Sequence, residues 1–356
     1  MLRENIKLNF LVIRFSSIGD IVLITPVLRL IKKYFPNSIL HFLTKEKFKN
    51  VVKLNPNIDQ LHLLGSDYNK CIDELKSIKF DFVIDLHNNL RSHKIRWSLN
   101  ISKPKDFSEQ EYSILPALKS SNRIFTLNKL DFKKMLLTVF KINKLPNVHI
   151  TDREIETLKT FGIENDNLGL EYYISSEDEQ QAKNIINNID YYTAFVIGAT
   201  YSTKRLPNNL ISDICSGICS TIILLGGPDD IAASEFVINN SSNKNIINLC
   251  GKVSLNVSAG IVKNAKLVIA HDTGLMHIAS AYHKNVLTIW GNTVPEFGMY
   301  ACCPGNLSKD FQVFCKCRPC NKLGHKSCPK KHFNCMNNQN IKEIINTANN
   351  ILNQNI

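Results

Sequence analysis

The sequence predicts an α/β protein of two doubly wound domains, each a parallel sheet with helices on both faces. Three observations predict it. Short β-branched runs alternate with helical patterns. The alternation comes as two separate series. A chain of 356 residues is long for one domain and comfortable for two.

In the first series "NFLVIRF" (9–15), "ILHFLT" (39–44), "QLHLL" (60–64) and "FDFVIDL" (80–86) read as strands. "DIVLITPVLRLIKKYF" (20–35) reads as a helix that Pro26 either kinks or opens. In the second series the strands are "TAFVIG" (193–198), "STIILLGG" (220–227), "NIINLCG" (245–251), "AKLVIAH" (265–271) and "NVLTIWG" (285–291). Helical stretches such as 207–219 and 254–264 separate them. The polar stretch from about 160 to 185 lacks a β run and is the expected linker. The expected division is therefore a first domain over 1–170, a second over 171–338, and a closing helix over 339–356. That helix carries Ile341, Ile344, Ile345, Ala348, Ile351 and Leu352 on one face.

Composition narrows the function classes. No apolar run reaches the ~18–20 residues a membrane span needs. Met1 to Asn9 is broken by Glu4, Asn5 and Lys7 and does not read as a signal peptide, so a cytoplasmic protein is expected. The net charge of +12 lies wholly in residues 1–150, which hold 25 Lys and Arg against 13 Asp and Glu. The remainder is balanced at 18 against 18, so the first domain is the one expected to face an anionic partner.

Three strand-to-helix junctions carry chemistry. In an open parallel sheet, ligands collect at the carboxyl ends of the strands. "RFSSIGDIVLITP" (14–26) places Ser17, Gly19 and Asp20 at the first such end. Gly19 would let the backbone turn sharply and approach a ligand. Asp20 reads either as a helix N-cap or as a carboxylate that takes a proton from a substrate hydroxyl. "GATYSTKRLP" (198–207) offers Thr200, Ser202, Thr203, Lys204 and Arg205 before a helix opened by Pro207, a set suited to a diphosphate. It is not a Walker loop, and "LLGGPDD" (224–230) is not a dinucleotide fingerprint. Asp229 or Asp230 there reads as a turn carboxylate more readily than as a ribose acceptor. "LVIAHDTGLMHIASAY" (267–282) sets Asp272, Thr273 and Gly274 at a helix start, with His277 a turn later. Exposed N–H groups and the helix dipole suit such a place to phosphate; a capped helix with a core histidine is the other reading.

Seven of the 11 cysteines lie between Cys302 and Cys335. Cys317, Cys320, Cys328 and Cys335 have a spacing that could hold one structural zinc; reduced thiols and disulfides are the alternatives. In any of these states the segment reads as a staple.

Taken in order, "RFSSIGDIVLITPVLRLIKKYFPNSILHFLT", "DLHNNLRS" (85–92), "GATYSTKRLP", "LLGGPDD" and "HDTGLMHIASA" resemble glycosyltransferase family 9, best known for the ADP-heptose:lipopolysaccharide heptosyltransferases. The similarity runs over nearly the whole chain and includes the "CRPC" tail. The resemblance implies the GT-B fold, two Rossmann-like domains facing across a cleft, with the acceptor on the first and the nucleotide sugar on the second. It makes Asp20 the general base of an inverting transfer, which does not exclude capping. Ser17, Gly19 and Arg91 fall on the acceptor side, and Thr200, Lys204, Asp272, Thr273, Gly274, Leu275 and His277 on the donor side. The implied partners are ADP-heptose and an anionic lipid-linked saccharide at the inner-membrane surface, with the enzyme peripheral there. No D-x-D pair stands at a strand end, so no catalytic metal or cofactor is expected. The chain departs from the family's usual residues at His271, Leu206 and Asn292.

Two rivals are a GT-B enzyme with a different nucleotide sugar and glycan, and a basic nucleic-acid-binding protein with a zinc knuckle. The second lacks the interleaved aromatics of a stacking platform, so no nucleic-acid partner is expected.

Overall fold

All the residues of Phe10–Ile13 are apolar and all are buried, as a strand covered on both faces requires. It is the middle strand, β1 (Asn9–Ile13), of a five-stranded sheet. With β2 (Ile39–Lys45), β3 (Gln60–Leu64), β4 (Phe82–Asp85) and β5 (Ile124–Thr126), the spatial order is β3-β2-β1-β4-β5. Every pairing is parallel. The computed structural model describes residues 6–103 and 106–354, so part of the N-terminal reading, residues 1–5, lies outside the described residues.

The helix expected over 20–35 is two helices, α1 (Ile18–Leu23) and α2 (Thr25–Tyr34). Pro26 sits in the first turn of α2, where its missing N–H leaves no bond unmade.

The second sheet has six strands: β6 (Tyr192–Val196), β7 (Thr221–Leu225), β8 (Ile246–Asn248), β9 (Leu267–His271), β10 (Val286–Trp290) and β11 (Lys309–Gln312). Their order is β8-β7-β6-β9-β10-β11, again all parallel. The edge strands β5 and β11 are additions to the expected set. β5 has three residues and β11 reads "KDFQ", so neither shows an apolar run.

The chain divides into two compact units: Met1–Lys129 with Ile150–Tyr173, and Leu130–His149 with Ile174–Ile356. This differs from the expected single division at residue 170. Residues 130–149 go with the second unit because Leu137 and Leu145 pack on Val294 and Phe297, and His149 Nε2 donates to the Tyr300 carbonyl at 2.9 Å. Residues 150–173 return to the first unit. Phe161 packs edge-on against Phe10, Phe82 and Phe125, and Arg29 pairs with Asp166 at 2.8 Å. The expected linker contains a helix, Ser176–Ile185, capped by the Ser175 side chain. The closing helix (Ile341–Asn353) buries Ile344, Ala348, Ile351 and Leu352 in the second unit's core and caps Gly217, whose carbonyl accepts from Asn349 at 2.8 Å.

One buried pair gives the first unit a pH dependence. His41 on β2 and His62 on β3 share a 2.9 Å hydrogen bond between ring nitrogens. Burial, then the neighbouring His62, hold His41 at about 4. The unfolded chain takes that proton near pH 6.5. Between about pH 4 and 6.5 the unfolded state thus binds more protons, so this stabilisation is full above 6.5 and lost on acidification toward 4. Thermal midpoints of His41→Gln over that range should fall less steeply with acid than those of wild type; parallel curves would remove the pair from the pH response.

Candidate active site

The carboxyl end of β1 runs through Arg14 and Phe15 into α1. Ser17 is the N-cap of α1, and its backbone N–H and hydroxyl both donate to Asp20 Oδ2, at 2.8 and 2.6 Å. Arg14 donates to the other oxygen, Oδ1. Asp20 is therefore not the N-cap but the third helical residue of a capping box, accepting from the N-cap Ser17. Its side chain is 22% exposed, so the carboxylate still meets the end of the sheet. Burial alone would raise this carboxyl. The Arg14 guanidinium and the two Ser17 hydrogen bonds overrule it and hold Asp20 at about 2. Arg14 is itself buried, and Glu154, fully buried, stands 3.5 Å from it. The expected sharp turn at Gly19 is absent: α1 already starts at Ile18, and Gly19 is a buried residue of its first turn. Ser17 is committed to Asp20.

After β4 the loop "DLHNNLRS" is fixed by Asp85, whose Oδ1 accepts from the N–H groups of His87 and Asn88 at 3.0 and 2.7 Å. Asn88 adopts a left-handed φ of 42°, and its amide donates to the Leu127 carbonyl. Asn89 then caps α3 (Leu90–Ser98) with a reciprocal bond to Ser92. This brings Arg91 and His87 to a pocket of about 420 Å³ with Phe15, Lys45, Asn89 and Leu90. An adjoining pocket shares Lys45 and Arg91 and adds Lys47 and Tyr68. His87 is a site residue the sequence reading did not single out. Burial, then the Arg14 charge, hold it at about 4, so its imidazole is neutral, and the ring packs tilted against Phe15 with centroids 4.7 Å apart. Of the other basic residues in this unit, Lys32, Lys33 and Arg96 are tied to Asp59, Asp166 and Asp85.

In the second unit, the junction after β6 leads into α4 (Asn208–Gly217), and that after β9 into α5 (Gly274–Ala281). The two loops meet: Lys204 Nζ lies 2.6 Å from Asp272 Oδ2, which also accepts from the Thr293 hydroxyl at 2.9 Å. Thr273 is the N-cap of α5 but its side chain caps nothing. Its hydroxyl oxygen is buried with no hydrogen-bond partner. Gly274 and Leu275 follow as the partly exposed first residues of α5, and Thr200 is exposed at the rim. His277 is 2% exposed, so it is interior, as in the core-histidine reading of this junction.

His271 shows why this chain departs from a smaller residue there. Its Nε2 accepts from the Leu206 N–H at 3.1 Å, tying the Lys204 loop to β9. Burial, then Arg205, hold it at about 3, so it keeps that lone pair. Asp230 is a turn carboxylate, as expected: it accepts from Gly227 N–H and pairs with Arg205, each at 2.8 Å. A Cβ on Gly198 would stand 2.1 Å from its Oδ2, which requires glycine there.

The cysteine-rich segment braces the same loop. The Thr203 hydroxyl accepts from His325 N–H at 2.8 Å and donates to Asn292 Oδ1 at 3.1 Å, while Cys320 N–H donates to the Asn292 carbonyl. Asn292 thereby serves as a tether. Cys317 Sγ is 3.7 Å from His332 Nε2, and Cys335 is buried in the second unit's core. Cys317 and Cys320 are side-chain neighbours with Cys328 and Cys335 close by, while among the described residues no group of three His, Cys, Asp or Glu is arranged to hold a metal ion.

The sequence profile of glycosyltransferase family 9 (heptosyltransferase) matches residues 69–333. The chain belongs to glycosyltransferase family 9. Lipopolysaccharide heptosyltransferase 1 of Campylobacter coli is 24% identical over 303 residues, 79% of this chain and 83% of that one. Lipooligosaccharide heptosyltransferase 2 of Haemophilus influenzae is 23% identical over 318 residues, 82% and 85% of the two chains. Among solved structures, a family 9 glycosyltransferase from Veillonella parvula aligns with TM-score 0.73 at 21% identity, covering 97% of each chain. Heptosyltransferase II of E. coli aligns with TM-score 0.69 at 15% identity, covering 97% of this chain and 98% of that one. The fold class is GT-B and this family 9 chain is a glycosyltransferase; the zinc-knuckle alternative finds no support. Among the described residues no helix is long and apolar enough to cross a membrane.

Proposed function

We propose that this glycosyltransferase moves a heptose from ADP-heptose to the saccharide of a lipid-linked, anionic lipopolysaccharide-core acceptor, with inversion and without a catalytic metal. It would act at the cytoplasmic face of the inner membrane. The observation that carries the reading is a carboxylate held ionised at the end of β1, beside a pocket lined by Lys45 and Arg91. The acceptor hydroxyl attacks the anomeric carbon as the bond from that carbon to the diphosphate oxygen breaks. The bonding electrons leave with ADP, and the hydroxyl proton passes to Asp20. A carboxylate near 2 is a weak base toward a resting hydroxyl. It takes the proton as attack makes that hydroxyl acidic, and it needs no prior ionisation at neutral pH. Arg91 and Lys45 supply positive charge for the acceptor's acidic groups.

On the donor side, Lys204, the unpaired Thr273 hydroxyl and the first N–H groups of α5 stabilise the departing diphosphate. Asp272 holds Lys204 in place, Gly274 and Leu275 offer backbone N–H groups, and Thr200 reaches the donor from the rim. His277 supports α5 from inside.

Titration calorimetry with ADP-, GDP- and UDP-sugars tests donor choice. Selective binding of ADP-heptose supports the reading, and a preference for a GDP- or UDP-sugar replaces it with a different surface glycan. The cysteine-rich segment is proposed to brace the Lys204 loop. If a structural zinc completes that brace, metal analysis of protein purified without chelator will find about one zinc per chain. Four freely titratable thiols in native, metal-free protein would end the zinc idea and leave the brace.

A further inference from the structure

Helix α3 turns two faces to different environments. Ser92 and Ile95 are buried, and Arg96 is drawn inward to Asp85. The opposite face carries Leu90, Arg91, Lys94 and Trp97, spaced as neighbours along one side of the helix. All four are exposed, Leu90 at 88% and Trp97 at 84%. A leucine and a tryptophan left this bare lose the stabilisation that burial would give them, and none of the described residues covers them.

We infer that this face of α3 rests on an anionic lipid bilayer, the one that carries the acceptor. The side-chain set selects that occupant. Tryptophan is the residue type most at home at the boundary of headgroups and acyl chains, with leucine beside it entering the apolar layer. Arg91 and Lys94 alternate with them, and long basic side chains reach back to anionic headgroups while their stems cover apolar surface. Position supports the same occupant. Leu90 and Arg91 also line the pocket that holds Lys45 and His87, so the bilayer-facing surface is continuous with the pocket assigned to the acceptor. A lipid-anchored saccharide lifted from the bilayer would meet that pocket directly. The inference rests on the acceptor reading only for its biological purpose; the surface itself is testable without acceptor.

A competing apolar surface exists in the second unit. Phe132, Met135, Val139 and Phe140 are exposed along Asp131–Phe140. The test must therefore compare the two.

The experiment is co-sedimentation of the full chain with vesicles of phosphatidylcholine, with and without phosphatidylglycerol. Wild type should bind the mixed vesicles, and weakly or not at all the neutral ones. Leu90→Ser combined with Trp97→Ser should weaken binding by about tenfold or more, the effect of removing the apolar contact. Lys94→Gln should weaken it by about fivefold, on the anionic vesicles only. Phe132→Ser combined with Phe140→Ser should stay within about twofold of wild type. The inference is overturned if wild type ignores anionic vesicles, if the Leu90 and Trp97 pair leaves binding unchanged, or if the Phe132 and Phe140 pair alone abolishes it. A second arm separates this from the enzyme reading. Trp97→Ser should transfer sugar normally to a delipidated, water-soluble acceptor and poorly to acceptor in vesicles. Absence of transfer by wild type to either acceptor would sink the enzyme reading while the sedimentation result stands.

Discussion

Asp20→Asn is expected to lower kcat by roughly 10²–10⁴, the usual contribution of a general base. Asparagine cannot take the acceptor's proton at neutral pH, but its side-chain oxygen can still accept from the Ser17 N–H and keep that bond of the capping box. Folding is nonetheless not left untouched. Asp20 also neutralises Arg14, which is buried and otherwise has Glu154 at 3.5 Å and the more weakly acting Asp85 as neighbouring carboxylates. A loss of about 1–3 kcal/mol in stability should accompany the loss of turnover. Donor binding should be unchanged, because the donor residues belong to the other unit. The measurement is kcat together with the thermal midpoint and the donor Kd. If kcat stays within about threefold of wild type when chemistry limits turnover, Asp20 is a capping-box residue and an ion-pair partner only.

Lys204→Ala is expected to weaken nucleoside-diphosphate binding by about 1.5–3 kcal/mol, the range for a charge-assisted hydrogen bond. The ion pair with Asp272 places the effect at the upper end. Without the lysine, the Asp272 carboxylate would stand uncompensated where phosphate charge arrives. Asp272→Asn leaves Lys204 charged but less firmly placed, so its effect on affinity should be smaller. Calorimetric Kd values for ADP with the three proteins decide the order. Affinity for Lys204→Ala within about twofold of wild type would remove it from the diphosphate site.

The two sheets were legible because their central strands are buried on both faces and read as unbroken apolar runs, as in Phe10–Ile13. Two of the four edge strands, β5 and β11, were not. Lys309–Gln312 pairs on one side only, so its alternating polar residues carry no such signal. The break between α1 and α2 was half visible, since Pro26 announces a helix start as readily as a kink. The exchange of residues 130–149 and 150–173 between units rests on contacts distant in sequence, such as Phe161 on Phe10 and Leu137 on Val294. No local pattern encodes those.

The site divides the same way. Asp20, Lys204, Asp272 and Thr273 stood out as candidates because they follow strands in short, punctuated junctions. Their partners were hidden. Nothing in "RFSSIGD" says that Arg14 bends back onto Asp20, and nothing near residue 271 says that its imidazole will hold the Leu206 N–H. The signal for His87 was its place inside "DLHNNLRS", a stretch read as a motif and not residue by residue. Gly19 was misread in one respect, for a helix begins a residue before it, while His277, on the inner side of α5, fits the core-histidine reading.

The central claim is an inverting transfer from ADP-heptose. It is tested most directly by incubating the purified chain with ADP-heptose of known anomeric configuration and a lipid A-core acceptor, then reading the new linkage by nuclear magnetic resonance of its anomeric proton. The account predicts one ADP released per sugar transferred and a product anomer opposite to that of the donor. A product that retains the donor's configuration, or turnover of a GDP- or UDP-sugar in place of ADP-heptose, would contradict it.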